Sequence, residues 1–214
     1  MNRPASRSIL RTGLVLGAAA LASIPPATAA GAAEHSAGHS AGPREPVAAA
    51  RAADQHGCAV VWFDLGETLV HTAEDDSTGY MPGAAAYLRE LRERDIEVGL
   101  ITNVPPSWGE TDAKRAAALK KEVDKAWKGS TPFAWKDFGD RILTPRTEAE
   151  SKPAPALWER AKKNADGCRL VYQAETAEET DAAASLGYVA YQVGQPGRPA
   201  FLPARVIEDL ADGS

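Results

Sequence analysis

Residues 58–70, CAVVWFDLGETLV, decide the fold. Ala59-Val60-Val61-Trp62-Phe63 is an apolar run rich in Val and aromatics. A short run of this kind reads as a strand buried on both faces. It stops on one carboxylate, Asp64, with Gly66 two residues on. Open α/β sheets bind their ligands at the C-terminal ends of their strands. Asp64 therefore stands where chemistry is expected, and the question is which later residues meet it.

The rest of the chain supplies further strands and the helices between them. Residues 71–80 hold Asp75, Asp76, Ser77, Thr78 and Gly79, a turn or hairpin signal. Pro82 opens a helix carrying Ala86, Leu88 and Leu91 on one side. Residues 96–101 (IEVGLI) form the second strand, which ends at Thr102-Asn103. Val104-Pro105-Pro106 forces a loop, and a long polar helix runs from about Glu110 or Thr111 to Trp127. Residues 129–138 read as irregular, and 141–144 as a short third strand. After Lys152-Pro153 a helix carries Ala156, Leu157 and Ala161. Residues 168–174 form the fourth strand, 178–186 a helix closed by Gly187, 188–193 the fifth strand, and 203–212 a last helix. Strands alternating with helices predict a parallel sheet with right-handed crossovers, an α/β Rossmann-like three-layer sandwich.

Composition narrows the function classes. The chain has 214 residues, 44% hydrophobic and 25% charged, ordinary for a globular domain plus extensions. Arg3, Arg7 and Arg11 precede an apolar stretch at residues 14–24 (LVLGAAALASI). Pro25-Pro26 and Ala27-Thr28-Ala29 follow. This reads as a secretory signal peptide over residues 1–29, cleaved before Ala30. The apolar stretch falls short of the roughly 20 residues that span a membrane, so no membrane association is expected after cleavage. Export to the periplasm or the medium follows. Residues 30–56 are rich in Ala, Gly, His, Ser and Pro and read as a disordered linker, with a short helix possible over 46–53. His35, His39 and His56 read as solvated linker residues. The domain is then residues 57–214. Residues 1–29 hold three of the 24 basic residues and none of the 29 acidic ones, so the remainder carries a net charge of −8. An acidic chain argues against nonspecific nucleic-acid binding.

Three strands end in groups of chemical interest: Asp64, Thr102 and Glu175. Lys152 opens a helix after a loop. In a parallel sheet these ends share one edge. A carboxylate nucleophile needs a cation to orient the electrophile and donors for the oxygens of the transferred group. Asp64, Thr102, Lys152 and a distal acid supply those parts.

In this order and spacing the chain resembles the haloacid dehalogenase-like (HAD) hydrolase superfamily. Asp64, Gly66 and Thr68 after the first strand match the family's Asp-x-Asp-x-Thr motif. Gly99-Leu100-Ile101-Thr102-Asn103 matches the second motif, Ser151-Lys152-Pro153 the third, and Ala174-Glu175-Thr176-Ala177-Glu178-Glu179 followed by Asp181 to Gly187 the fourth. Met81-Pro82-Gly83 also fits. The resemblance covers residues 58–194 and implies a sheet order of 5-4-1-2-3. It implies that Asp64 attacks phosphorus to form an aspartyl-phosphate, that Thr102 bonds a phosphoryl oxygen, and that Lys152 neutralises charge between them. It implies Mg²⁺ held by Asp64, the Gly66 carbonyl, and Glu175 and Glu179 of the fourth motif, a hard-oxygen set suited to that ion.

Two departures from the family pattern stand out. Gly66 replaces the acid that protonates the leaving group, with Glu67 and His71 the nearest substitutes. Glu175 and Glu179 replace the usual aspartates, with Asp181 a further candidate acid. The gaps at 70–82 and 103–141 leave room for a flap and one helix rather than a cap domain. An open site for a phosphorylated small molecule or macromolecule is expected. Trp108, Trp127, Phe133 and Trp135 either floor that site or pack the helix on the sheet. In the family's strand order Cys58 and Cys168 precede neighbouring strands. A bridge between them is expected in an oxidising compartment, with two separate thiols as the alternative. The chain is expected to be a slow phosphatase-like hydrolase. The alternatives are a non-catalytic relative that binds a phosphorylated ligand or partner and, last, a dehalogenase.

Overall fold

A computed structural model of the protein describes residues 57–213. The signal peptide expected at 1–29, the linker expected at 30–56 and the short helix expected at 46–53 all lie outside the described residues. Strand β1 (Ala59–Phe63) is buried throughout. It lies at the centre of the sheet, paired in parallel with β4 (Glu97–Ile101) on one side and β6 (Arg169–Ala174) on the other. Beyond them lie β5 (Ile142–Leu143) and β7 (Val189–Gln192), also parallel. The order is β5-β4-β1-β6-β7. The numbering includes a separate antiparallel hairpin, β2 (Val70–Thr72) and β3 (Thr78–Tyr80). Counting only the five strands of the main sheet, the order read from β7 is fifth, fourth, first, second, third.

Alternation along β1 builds two apolar layers, because successive side chains of a strand point to opposite faces. Val61 and Phe63 pack with α1 (Ala84–Glu93), α2 (Asp112–Ala126) and α6 (Ala204–Asp212). Val60 and Trp62 pack with α4 (Ala156–Lys163) and α5 (Ala177–Ser185). In α1 the buried residues are Ala84, Tyr87, Leu88 and Leu91, the stripe of one helix face. Gly99 on β4 matters for space: a Cβ there would lie 2.4 Å from the Trp62 ring. Gly187 ends α5 with φ +90, a conformation that disfavours a side chain. Among the described residues no helix is long and apolar enough to cross a membrane.

The expected strand over 141–144 shortens to Ile142–Leu143. The stretch 129–138, expected to be irregular, contains a single turn of helix, α3 (Trp135–Phe138). Hydrogen bonds and aromatic packing stitch this region to the hairpin. Lys128 N donates to Thr78 O at 2.8 Å, and Ala134 N donates to the Tyr80 hydroxyl at 2.7 Å. Tyr80 stacks on Phe133 at 5.3 Å and meets Trp127 edge-on at 5.0 Å. The indole N–H groups of Trp127 and Trp135 donate to Thr131 O and Asp124. Trp127 and Trp135 both pack on Phe133, and Trp127 also on Tyr80 of the hairpin.

Cys58 and Cys168 form a disulfide with a Cα–Cα distance of 4.8 Å, joining the N-terminal ends of β1 and β6 across 110 residues. Closing a loop of that size stabilises by about 4–5 kcal/mol in the chain-entropy model. Replacing both cysteines by serine is therefore expected to lower the free energy of unfolding by several kcal/mol, read from denaturant melts. Thiol counting on the denatured, unreduced protein should find no free thiol.

Candidate functional site

The parallel register places the site residues. Asp64 N donates to Gln173 O at 3.0 Å, so Asp64 continues β1 beside β6. Phe63 pairs with Gln173 on β6 and with Leu100 on β4. One residue further, Asp64 lies between Ala174 and Ile101, with Glu175 and Thr102 just past it on either side. Thr102 N donates to Leu143 O at 3.1 Å, and the buried Thr102 hydroxyl has no hydrogen-bond partner among the described residues.

Lys152 reaches this edge from the loop before α4, and its side chain is 1% exposed. Its Nζ donates to Asp64 Oδ1 at 2.5 Å, to Glu179 Oε2 at 2.7 Å and to the Tyr172 hydroxyl at 3.2 Å. The loop is held from two sides. The Asn103 side chain grips the Lys152 backbone, accepting from its N–H at 2.8 Å and donating to its C=O at 3.2 Å. Further out, Asp112 accepts from Arg115, Arg146 and Arg160. Glu150 accepts from the Arg146 backbone and the Arg160 guanidinium. The Lys152–Pro153 peptide is cis.

Thr68 lies between two carboxylates. Its hydroxyl is 3.1 Å from Glu175 Oε2 and 3.5 Å from Asp64 Oδ2, and it accepts from Glu175 N at 3.2 Å. Gln192 donates to Glu175 O at 2.9 Å and fixes the same turn. Glu179 sits in the first turn of α5, where Thr176 caps the helix. The helix N-terminus favours an acid at that place.

Two carboxylates, Asp64 and Glu179, thus contact one ammonium, and a third, Glu175, lies beyond Thr68 on the far side of Asp64. Burial, reinforced by Glu179 and Glu175 and opposed by Lys152, pushes the Asp64 carboxyl up to about 7. Burial also raises Glu175. Burial works against the charge on Lys152, but Asp64 and Glu179 outweigh it and hold its pKa above the usual value. A site with this excess of negative charge suits a cation.

The metal set expected from the sequence is only partly assembled. Asp64 and Glu175 face each other across Thr68, and the Gly66 carbonyl accepts no hydrogen bond among the described residues. These groups fit Mg²⁺, which usually takes one or two carboxylates and keeps several waters. Glu179 instead gives its carboxylate to Lys152 and Tyr172. Among the described residues no group of three or more His, Cys, Asp or Glu is arranged to hold a metal.

The nearest substitutes for the missing acid bond to each other. Glu67, at φ +51, accepts from Thr72 N at 3.0 Å and pairs with His71 Nδ1 at 2.8 Å. Asp181 is exposed on α5. Sequence reasoning missed Tyr172, Asn103 and Gln192 as site-shaping residues. The signal for Tyr172 is its place in the buried part of β6, where a hydroxyl needs a partner.

No protein-family model matches this sequence, and no curated protein sequence does. Solved structures to which the chain is similar include several haloacid dehalogenase-like (HAD) proteins. An L-2-haloacid dehalogenase is 13% identical, with a TM-score of 0.48, and the match covers 72% of this chain and 99% of that one. D,D-heptose 1,7-bisphosphate phosphatase from B. bronchiseptica, solved with magnesium and phosphate, is 16% identical. Its TM-score is 0.47, over 73% of this chain and 99% of that one. A HAD family enzyme from Bacteroides thetaiotaomicron, in complex with magnesium and inorganic phosphate, is 13% identical. Its TM-score is 0.44, over 67% of this chain and 97% of that one.

Proposed function

We propose that this chain is an exported, Mg²⁺-dependent phosphatase-like hydrolase of the HAD type, with Asp64 as nucleophile. The observation that carries this reading is the convergence of buried Asp64 with the Lys152 ammonium, the Glu175 carboxylate and the free Thr102 hydroxyl at one sheet edge. An Asp64 oxygen attacks phosphorus, and the bond from phosphorus to the leaving oxygen breaks. Thr102 donates to a phosphoryl oxygen, and Lys152 offsets charge between carboxylate and phosphoryl group. Asp64, the Gly66 carbonyl and Glu175 are the groups that would hold Mg²⁺, which would supply Lewis-acid polarisation of a phosphoryl oxygen. Water then attacks phosphorus, the bond from phosphorus to the Asp64 oxygen breaks, the water's proton passes to solvent, and phosphate leaves with Asp64 restored.

Gly66 makes both steps slow, because the position that normally gives and takes the proton carries no acid. Loss of a general acid costs about 10²–10⁴-fold. Substrates whose leaving group needs no proton, such as aryl phosphates, are favoured. The same glycine supports a second reading, a protein that binds a phosphorylated ligand or partner at this open site without turning it over.

The test is the mature protein, from about residue 30, on a panel of phosphate esters with Mg²⁺ and with chelator. Turnover is expected with Mg²⁺ and lost on chelation. Binding of Mg²⁺ and of a phosphate mimic without turnover selects the second reading. Neither turnover nor binding contradicts both.

A further inference from the structure

We infer that Tyr172 is a positioning residue which, through Glu179, holds the Lys152 ammonium against Asp64. This inference rests on reading Asp64 as the nucleophile. The Tyr172 hydroxyl donates to Glu179 Oε2 at 2.7 Å and accepts from Lys152 Nζ at 3.2 Å. An ammonium has three protons. Those of Lys152 go to Asp64 Oδ1, Glu179 Oε2 and the Tyr172 oxygen, so its position is fixed from three directions. The phenol is itself immobile: Tyr172 is fully buried, and its ring meets Trp158 edge-on at 5.5 Å.

The hydroxyl also decides what Glu179 does. With Lys152 and Tyr172 both donating to one oxygen, Glu179 is the counter-ion of Lys152 rather than a carboxylate offered to a metal. The metal-binding side chains reduce to Asp64 and Glu175. Without the hydroxyl, Lys152 loses one of its three fixed acceptors and Glu179 loses a donor. The ammonium then moves away from Asp64 toward Glu179, while the fold and the metal-binding edge stay in place.

Tyr172→Phe keeps the ring and its packing on Trp158 and removes only the oxygen. Small misplacements of a group at the reacting centre cost on the order of 10–10²-fold in rate. The expected result is a fall in kcat of about tenfold or more, with KM on an aryl phosphate little changed. Orthovanadate affinity, measured by titration, should fall in parallel, and the Mg²⁺ dissociation constant should not. Adding Glu179→Gln to this variant should cost little beyond Glu179→Gln alone, because both act on Lys152 by one route.

Unchanged kcat and unchanged vanadate affinity overturn the inference. So does a rise in the Mg²⁺ dissociation constant that matches the loss of rate, since that assigns Glu179 to the metal. If the unaltered protein binds vanadate but turns nothing over, the vanadate titration decides alone. If it neither binds vanadate nor turns over, the reading of Asp64 falls, and this inference with it.

Discussion

Asp64→Asn should reduce turnover of phosphate esters by on the order of 10³-fold or more, the scale of losing a covalent nucleophile. Asparagine has the shape of aspartate, but its amide attacks phosphorus poorly and carries no charge. The variant should stay folded, because Lys152 keeps Glu179 at 2.7 Å and the Tyr172 hydroxyl at 3.2 Å as partners. It also removes a carboxylate that is held in a buried position beside two others. A loss of activity with an unchanged melting transition separates chemistry from stability. Comparable loss with a collapsed melting transition would show only that the edge of β1 had been damaged.

Gly66→Asp should act in the opposite direction, raising kcat by about 10²–10⁴-fold if the absent acid is the defect. The backbone permits the change. A Cβ at Gly66 would meet nothing within 4 Å, and Gly66 is not among the glycines with positive φ. The gain should depend on the leaving group. Alkyl phosphates, whose alkoxide must be protonated as it departs, should gain most. Aryl phosphates should gain mainly through faster attack of water in the second step. The measurement is kcat on an alkyl and an aryl ester for both proteins. An equal or lower rate on alkyl esters would show that another group already supplies the proton. Glu67 and His71 are the neighbours to examine, although they are paired with each other and Glu67 also accepts from Thr72 N.

Much of the fold was legible because its determinants are local. The all-apolar run at Ala59–Phe63, the alternation of strands with helices, and the break at Gly187 each depend on short-range pattern. Strand ends also place Asp64, Thr102 and Glu175 at one edge without any knowledge of side-chain contacts. The bridge from Cys58 to Cys168 was expected only through the strand order that the family resemblance implies, and β1 and β6 are neighbours as that order requires. What sequence did not reveal is orientation. Nothing in the spacing of Glu175 and Glu179 distinguishes the one that faces Asp64 from the one that turns to Lys152. Their rotamers are set by Thr68, by Tyr172 and by the cap at Thr176. The grip of Asn103 on the Lys152 backbone joins residues 49 apart, and no local pattern encodes it. The hairpin and the Trp-containing segment became a single packed unit through Tyr80, whose hydroxyl bonds Ala134 and Pro132.

The most direct test of the central claim is to look for the covalent intermediate. If Gly66 slows attack by water, the aspartyl-phosphate should accumulate when the protein is mixed with an aryl phosphate and Mg²⁺ and quenched in acid. Peptide mapping by mass spectrometry should find one phosphoryl group on the peptide containing Asp64, and none in Asp64→Asn. Turnover that proceeds with the phosphoryl group on another residue, or that survives in Asp64→Asn, would contradict the account.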